Sequence, residues 1–275
     1  MRTLYIGGPL AFALTACARP AATPAAPNVV TIVATDFAFG APDTIPAGLT
    51  TLKMKNQGKE PHQAVLMGAA DKTWDEVRTA LTTPGPIPAW VTFPPGAGVV
   101  TGGDSSNATS RLEPGIYYLV CFIPSADRTP HVMKGMVRRL VVTAPATATT
   151  PAPDPQADVV VTLADYGFTW SAPLRAGTHT IRVENAGPQL HEIGIEQLAP
   201  GKTMADWQQW LARGMQGMGP AKPLGGMTGP SVGKVGWFTI TLAPGKYILA
   251  CYVPDSNTDG KPHVMHGMVQ EITVS

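Results

Sequence analysis

The chain has 275 residues, including 29 Gly and 28 Pro, with 14% charged residues and a net charge of +1. Gly and Pro together fill about a fifth of the chain, which favours short elements joined by turns over long helices. The charge balance provides no basic field for a nucleic acid, and 44% hydrophobic content is enough for a core, which excludes wholesale disorder. Only three cysteines are present and none forms a CxxC pair, so a disulfide scaffold, a zinc ribbon and a c-type haem are all disfavoured. At this length two domains are the natural expectation.

The N-terminus reads MRTLYIGGPLAFALTAC, with Arg2 before a short apolar stretch that ends in small residues. The stretch is too short for a helix to cross a bilayer and fits a signal peptide over residues 1–16. Leu14-Thr15-Ala16-Cys17 resembles the bacterial lipobox, which implies lipidation at Cys17 and a membrane anchor. ARPAATPAAP follows, so residues 17–27 read as a Pro/Ala tether. The expected location is the bacterial periplasm or cell surface.

The rest of the chain contains a repeat. VTIVATDFAFG from Val30 is echoed by VVTLADYGFTW from Val160; Asp36, Asn56 and His62 match Asp165, Asn185 and His191. LEPGIYYLVCFIP matches LAPGKYILACYVP, and PHVMKGMV matches PHVMHGMV, each at an offset of about 130 positions. Three blocks in one order predict homologous domains over 28–143 and 158–275, with a Pro/Ala/Thr linker over 144–157 that has nothing to bury.

In chain order, VVTIVATDF, TTLKMKN, QAVLMG, IYYLVCFI and VRRLVVT of the first copy are β-branched or aromatic runs bounded by turn residues, and they predict strands. KTWDEVRTAL switches to a helical period: Trp74, Val77 and Leu81 form an apolar stripe expected to face the core, and Thr73 and Glu76 form a capping box. In the second copy Met204, Trp207 and Leu211 repeat the stripe, and Thr203 and Asp206 repeat the cap. The expected fold class is all-β: two tandem Greek-key β-sandwiches of about seven strands, each with a short inserted helix.

Four chemically distinctive residues recur in each copy: His62, Cys121, His131 and Met136, then His191, Cys251, His263 and Met268. Two imidazoles, a thiolate and a thioether suit a blue-copper electron-transfer site better than zinc or a hard cation. Tyr117, Leu119 and Cys121 share one strand parity, as do Tyr247, Leu249 and Cys251, so each sulfur is expected at the end of a strand beside the core.

These blocks resemble the cupredoxin family, particularly its plastocyanin-like members. The likeness rests on NQGKEPH and NAGPQLH, on PGxYxLxC and on PHVMxGM, and it covers nearly everything after residue 28. It implies a β-sandwich and one copper ion per domain, ligated by the quartets above and cycling between Cu(I) and Cu(II). One departure is the Cys-to-His spacing, which is longer than typical: FIPSADRTP lies between Cys121 and His131, and YVPDSNTDGKP between Cys251 and His263. Met133 and Met265 are competing axial donors, and His266 is an extra donor in the second copy.

The function expected from this reading is an exported copper-binding electron-transfer protein that works with redox partner proteins. No nucleic acid or small-molecule substrate is expected, and the chain is not itself expected to be an enzyme. Copper delivery or storage through exchangeable sites is the alternative, and a metal-free cupredoxin-like interaction module is a third reading. A Cys121–Cys251 disulfide ranks low, because it would bury both sites. The literal GxSxG at Gly229–Gly233 lacks the strand–turn–helix context of a nucleophile elbow, and Met215, Met218 and Met227 read as scattered loop residues.

Overall fold

The computed structural model describes residues 26–83, 85–145 and 151–275. The expected signal peptide, the lipobox-like run with Cys17 and most of the expected tether lie outside the described residues. Among the described residues no helix is long and apolar enough to cross a membrane.

The first copy contributes β1 (Asn28–Thr35), β2 (Ala38–Gly40), β3 (Thr44–Pro46), β4 (Gly48–Asn56), β5 (His62–Gly68), α1 (Trp74–Thr82), β6 (Gly96–Val100), β7 (Ser105–Leu112), β8 (Gly115–Val120) and β9 (Val137–Thr143). The second contributes β10 (Val159–Ala164), β11 (Gly167–Trp170), β12 (Gly177–Asn185), β13 (Ile193–Leu198), α2 (Met204–Ala212), β14 (Ala221–Thr228), β15 (Val235–Leu242), β16 (Gly245–Ala250) and β17 (Val269–Val274). The expected all-β sandwich with short helices is what forms. Short edge strands such as β2 and β3, at three residues each, carry too little pattern to be read from sequence.

Alternation builds the layers. In β1, Val30, Ile32 and Ala34 are buried while their neighbours are not; in β4, Leu52 and Met54 face the same interior. β5 is buried along its whole length because it is covered on both sides. Ala64 and Leu66 join the sandwich core, whereas Val65 and Met67 pack with Val77 and Tyr118 in a smaller core under α1. Covering on both faces explains why this strand reads as an unbroken apolar run.

Both helices start where the sequence places them. Thr73 and Glu76 form a full capping box, as do Thr203 and Asp206. The stripe on α1 is only partly core: Val77 is buried, but Trp74 is 44% exposed and stacks on Tyr118 at 5.4 Å. On α2, Trp207 is fully buried.

Each layer runs through both copies. One sheet has the order β11-β10-β12-β15-β7-β4-β1-β2 and the other β17-β16-β13-β14-β6-β5-β8-β9-β3. At the seam β6 pairs antiparallel with its counterpart β14, Ala97 opposite Met227 and Val100 opposite Leu224. Gly98 permits this approach, because a Cβ there would lie 2.8 Å from the Gly225 and Gly226 backbone. In the other layer β7 meets β15, and the Asn107 side-chain amide donates to Thr239 O at 2.8 Å and accepts from Thr239 N at 2.9 Å.

The described part of the linker does bury something. Ala152 packs with Leu49 and Trp237, and Arg111 donates to Ala152 O at 2.6 Å and to Asp154 at 2.7 Å.

Candidate metal centre

The loop before the first histidine is built by one buried asparagine. Asn56 accepts from Gly58 N at 2.8 Å and donates to Glu60 O at 2.8 Å and Val100 O at 2.9 Å. Asn185 does the same in the second copy, with Gly187 N at 3.0 Å, Gln189 O at 2.9 Å and Pro230 O at 2.8 Å. The turn depends on a short amide side chain that reaches its own backbone.

The long Cys-to-His loops close on the same geometry despite their length. Pro124 bridges Pro130 and Pro254 bridges Pro262, so the additional residues form an excursion outside a tied neck. Below each neck the backbone is laced: His131 N donates to Ile123 O at 2.9 Å, Val132 N to Cys121 O at 2.8 Å, and Met136 N to His131 O at 2.9 Å. His263 N to Val253 O, Val264 N to Cys251 O and Met268 N to His263 O repeat this pattern. Cys121 and Cys251 each follow the last residue of a strand, one step past the expected position.

In each copy the expected histidines and cysteine come together, and all six residues are fully buried. In the first, His62 Nδ1 and His131 Nδ1 lie 3.0 Å apart, with Cys121 Sγ at 3.9 Å and 3.4 Å from them. In the second, His191 Nδ1 and His263 Nδ1 are also 3.0 Å apart, and Cys251 Sγ is 3.4 Å from His263 Nδ1. Met136 and Met268 are fully buried beside these groups, and their carbonyls accept from Cys121 N and Cys251 N. The competing donors lie elsewhere: Met133 and Met265 are about half exposed, and His266 bonds Asp259 at 3.1 Å. Both cysteines are free thiols.

Three of the four outer ring nitrogens lie beside carboxylates. His62 Nε2 is 2.9 Å from Asp36 Oδ1, and His131 Nε2 is 2.9 Å from Glu60 Oε2. His191 Nε2 lies 2.7 Å from Asp165 Oδ1 but off the line of a hydrogen bond, and His263 Nε2 has no hydrogen-bond partner. Burial lowers the pKa of His62, His191 and His263, against the pull of nearby carboxylates, so the rings are neutral near pH 7. Burial opposes the charge on Asp36 and Glu60, but the hydrogen bonds each accepts outweigh it and lower both pKa values. The Cys121 thiol is pushed up to about 11 by burial, and Cys251 is raised for the same reason. Glu192, next to His191, is pushed up to about 7 by burial.

A carboxylate only accepts, so in the first copy each Nε2 carries a proton, and a neutral ring then presents its Nδ1 lone pair to the pocket. Two lone pairs at 3.0 Å, with a sulfur beside them, repel one another unless a cation lies between. Metal–nitrogen distances near 2.0 Å and metal–sulfur distances near 2.3 Å span such gaps, and the soft, neutral and anionic donor set suits copper. The two buried His-Cys-His groups could hold one copper ion each.

The sequence reading missed the roles of Asp36, Asp165, Asn56 and Asn185. The signal was present, because all four are repeated at matched positions, but none is a soft donor. The Gly229–Gly233 segment is no nucleophile elbow: Ser231 Oγ accepts from Phe93 N at 2.8 Å. Met227 is buried at the seam, apart from the exposed Met218.

A two-layer sandwich with a buried His-Cys-His group at the strand ends of each copy is the cupredoxin arrangement, and the resemblance read from the sequence holds in the fold. No family model matches the chain, and no curated protein sequence matches it. Solved structures that the chain matches include dithionite-reduced auracyanin from Roseiflexus castenholzii, 22% identical over 44% of this chain and 100% of that one, with a TM-score of 0.30. They also include a multicopper oxidase, 15% identical over 90% of this chain and 88% of that one (TM-score 0.27). A Cu-containing nitrite reductase from Thermus scotoductus SA-01 is 12% identical over 90% of this chain and 61% of that one (TM-score 0.24). At such distances no residue role transfers from any of them. The expectation that the chain is not an enzyme does not stand, because structures named as enzymes, the multicopper oxidase and the nitrite reductase, each match over 90% of it.

Proposed function

We propose that the protein is an exported copper-binding electron-transfer protein with one type 1-like site in each of two domains, 28–143 and 158–275. His62, Cys121, His131 and Met136 would hold one ion, and His191, Cys251, His263 and Met268 the other. Cys17 would carry the lipid that tethers the chain at the outer face of a membrane, where larger redox proteins are its partners. The observation that carries the reading is the convergence of two Nδ1 atoms and one sulfur in each dry pocket. Copper bound there supplies a one-electron couple. The surrounding residues supply rigidity: the laced necks fix Cys and His relative to each other, the buried asparagines fix the other His, and full burial keeps water from the donors. A site that rearranges little between oxidation states suits electron transfer.

The full-length chain loaded with Cu(II) tests this. An intense thiolate-to-copper band at two coppers per chain supports it, and well-folded protein that takes up no copper overturns it.

A further inference from the structure

The two metal groups are held unequally, and the difference at the second histidine starts from one exchange of residues. In the first copy His131 is fixed at both ring nitrogens: Nδ1 faces the pocket and Nε2 meets Glu60 Oε2 at 2.9 Å. Glu60 is itself anchored, since its carbonyl accepts from buried Asn56 at 2.8 Å. The matching position in the second copy is Gln189, whose amide is turned to other work. Its Nε2 donates to Asp165 Oδ2 at 3.0 Å, and its Oε1 accepts from Ser256 N and Oγ, each at 3.0 Å. His263 Nε2 is left buried without a partner.

The missing carboxylate has moved and is not lost. Where the first Cys-to-His loop has Ser125, the second has Asp255. Its oxygens accept from the Tyr166 hydroxyl, from Asn257 N at 2.7 Å and from Thr258 N at 2.9 Å, and none of these bonds involves His263. Tyr166 stands where the first copy has Phe37. Carboxylates lie near both sites: Asp36 with Glu60 in the first, and Asp165 with Asp255, besides the buried Glu192 next to His191, in the second. What differs is direction: in one site a carboxylate grips the second histidine, and in the other it is tied up by a phenol and a turn.

We propose that Glu60 is a positioning residue for His131 and that, because Gln189 cannot replace it, the first site holds copper more tightly than the second. The inference rests on reading both groups as copper ligands. A carboxylate on the outer nitrogen fixes the tautomer and ring orientation and makes the inner nitrogen a better donor, and losing such a partner typically costs about 10–100-fold in metal affinity. In the second site a ring that binds through Nδ1 leaves its buried Nε2–H unpaired.

The test isolates each site in the full chain. Cys251→Ser leaves only the first site and Cys121→Ser only the second; both are loaded with Cu(II) and titrated with a competing chelator. The expected result is about 10–100-fold tighter retention at the first site. Glu60→Gln in the Cys251→Ser chain should remove that advantage, and Gln189→Glu in the Cys121→Ser chain should raise the second site's affinity. In the Cu(I) form, proton NMR should show a slowly exchanging His131 Nε2–H that Glu60→Gln abolishes, a signature that a purely structural role for Glu60 would not produce. Equal retention at the two sites, or a first site indifferent to Glu60→Gln, overturns this inference and leaves the copper reading standing. Absence of copper from both single-site chains overturns both.

Discussion

The two copies keep the same donors on the same turns, yet the material around them differs in concerted groups. Under α1 the first copy packs Val77 and Met67 in one apolar cluster, and Phe122, one residue past Cys121, is exposed. At the matching positions the second copy places Trp207, Glu196 and Tyr252: the indole donates to Glu196 Oε2 at 2.9 Å and the phenol to Oε1 at 2.5 Å. A buried carboxylate is tolerated because two donors arrived with it. Glu60 with Ser125 became Gln189 with Asp255, and Tyr166 came with the new carboxylate. The comparison shows that the periphery changes in sets that keep buried polar atoms paired. Among the outer ring nitrogens, His191 Nε2 and His263 Nε2 are left without a hydrogen-bond partner.

The largest effect should come from the donors. Cys121→Ser or Cys251→Ser is expected to remove one copper and its share of the charge-transfer band, and the double variant all of it, read by visible absorption and metal analysis. Next come the buried asparagines, which treat the copies alike. Asn56→Ala and Asn185→Ala each strand buried carbonyls at about 1–3 kcal/mol apiece, so both should lower the denaturant midpoint by similar amounts. A large inequality would show that one copy dominates folding.

Gly58 and Gly187 pose a finer test. A Cβ at either would lie 2.6 Å from the outer nitrogen of His62 or His191, and at Gly58 it would also collide with Asp36 Oδ1. Gly58→Ala should therefore separate Asp36 from His62 and weaken copper retention at the first site by roughly 10-fold, within the range for a lost outer partner. The smallest effect should come from Glu196→Gln. Burial raises the Glu196 pKa, so its contribution to stability is fullest below the ordinary carboxyl value and is lost as pH rises through the raised one. The variant should gain stability relative to wild type as pH increases, measured by thermal unfolding at pH 5 and pH 8. A gain confined to pH 5 would contradict the sign.

Much of this was legible beforehand, because it rests on local chemistry. Thr73 with Glu76, and Thr203 with Asp206, announce helix starts through backbone donors that need caps, and β9 begins and ends where VRRLVVT does. The donor groups were legible because soft side chains are rare and each recurs. Trp74 was misread as core because a helical stripe does not reveal how far the facing sheet extends; the ring lies over Tyr118 at its margin. The carboxylates on the outer nitrogens escaped notice because Asp36 is far in sequence from His62, and Glu60 far from His131. Nothing in a one-dimensional pattern brings them together. The linker was misjudged for a related reason: Ala152 is buried by Leu49 and Trp237, which come from different copies.

The seam between the copies has a consequence beyond closing the sheets. β6 meets its own counterpart β14 in antiparallel fashion, and β7 meets β15, so equivalent surfaces cover each other as in a two-fold dimer of identical chains. In such a dimer every substitution would appear at both sites, and neither could be altered without the other. Because the two halves share one chain, the symmetric interface survives while each site is free to change by itself, and the exchange at Glu60 and Gln189 is one that only a fused pair can make.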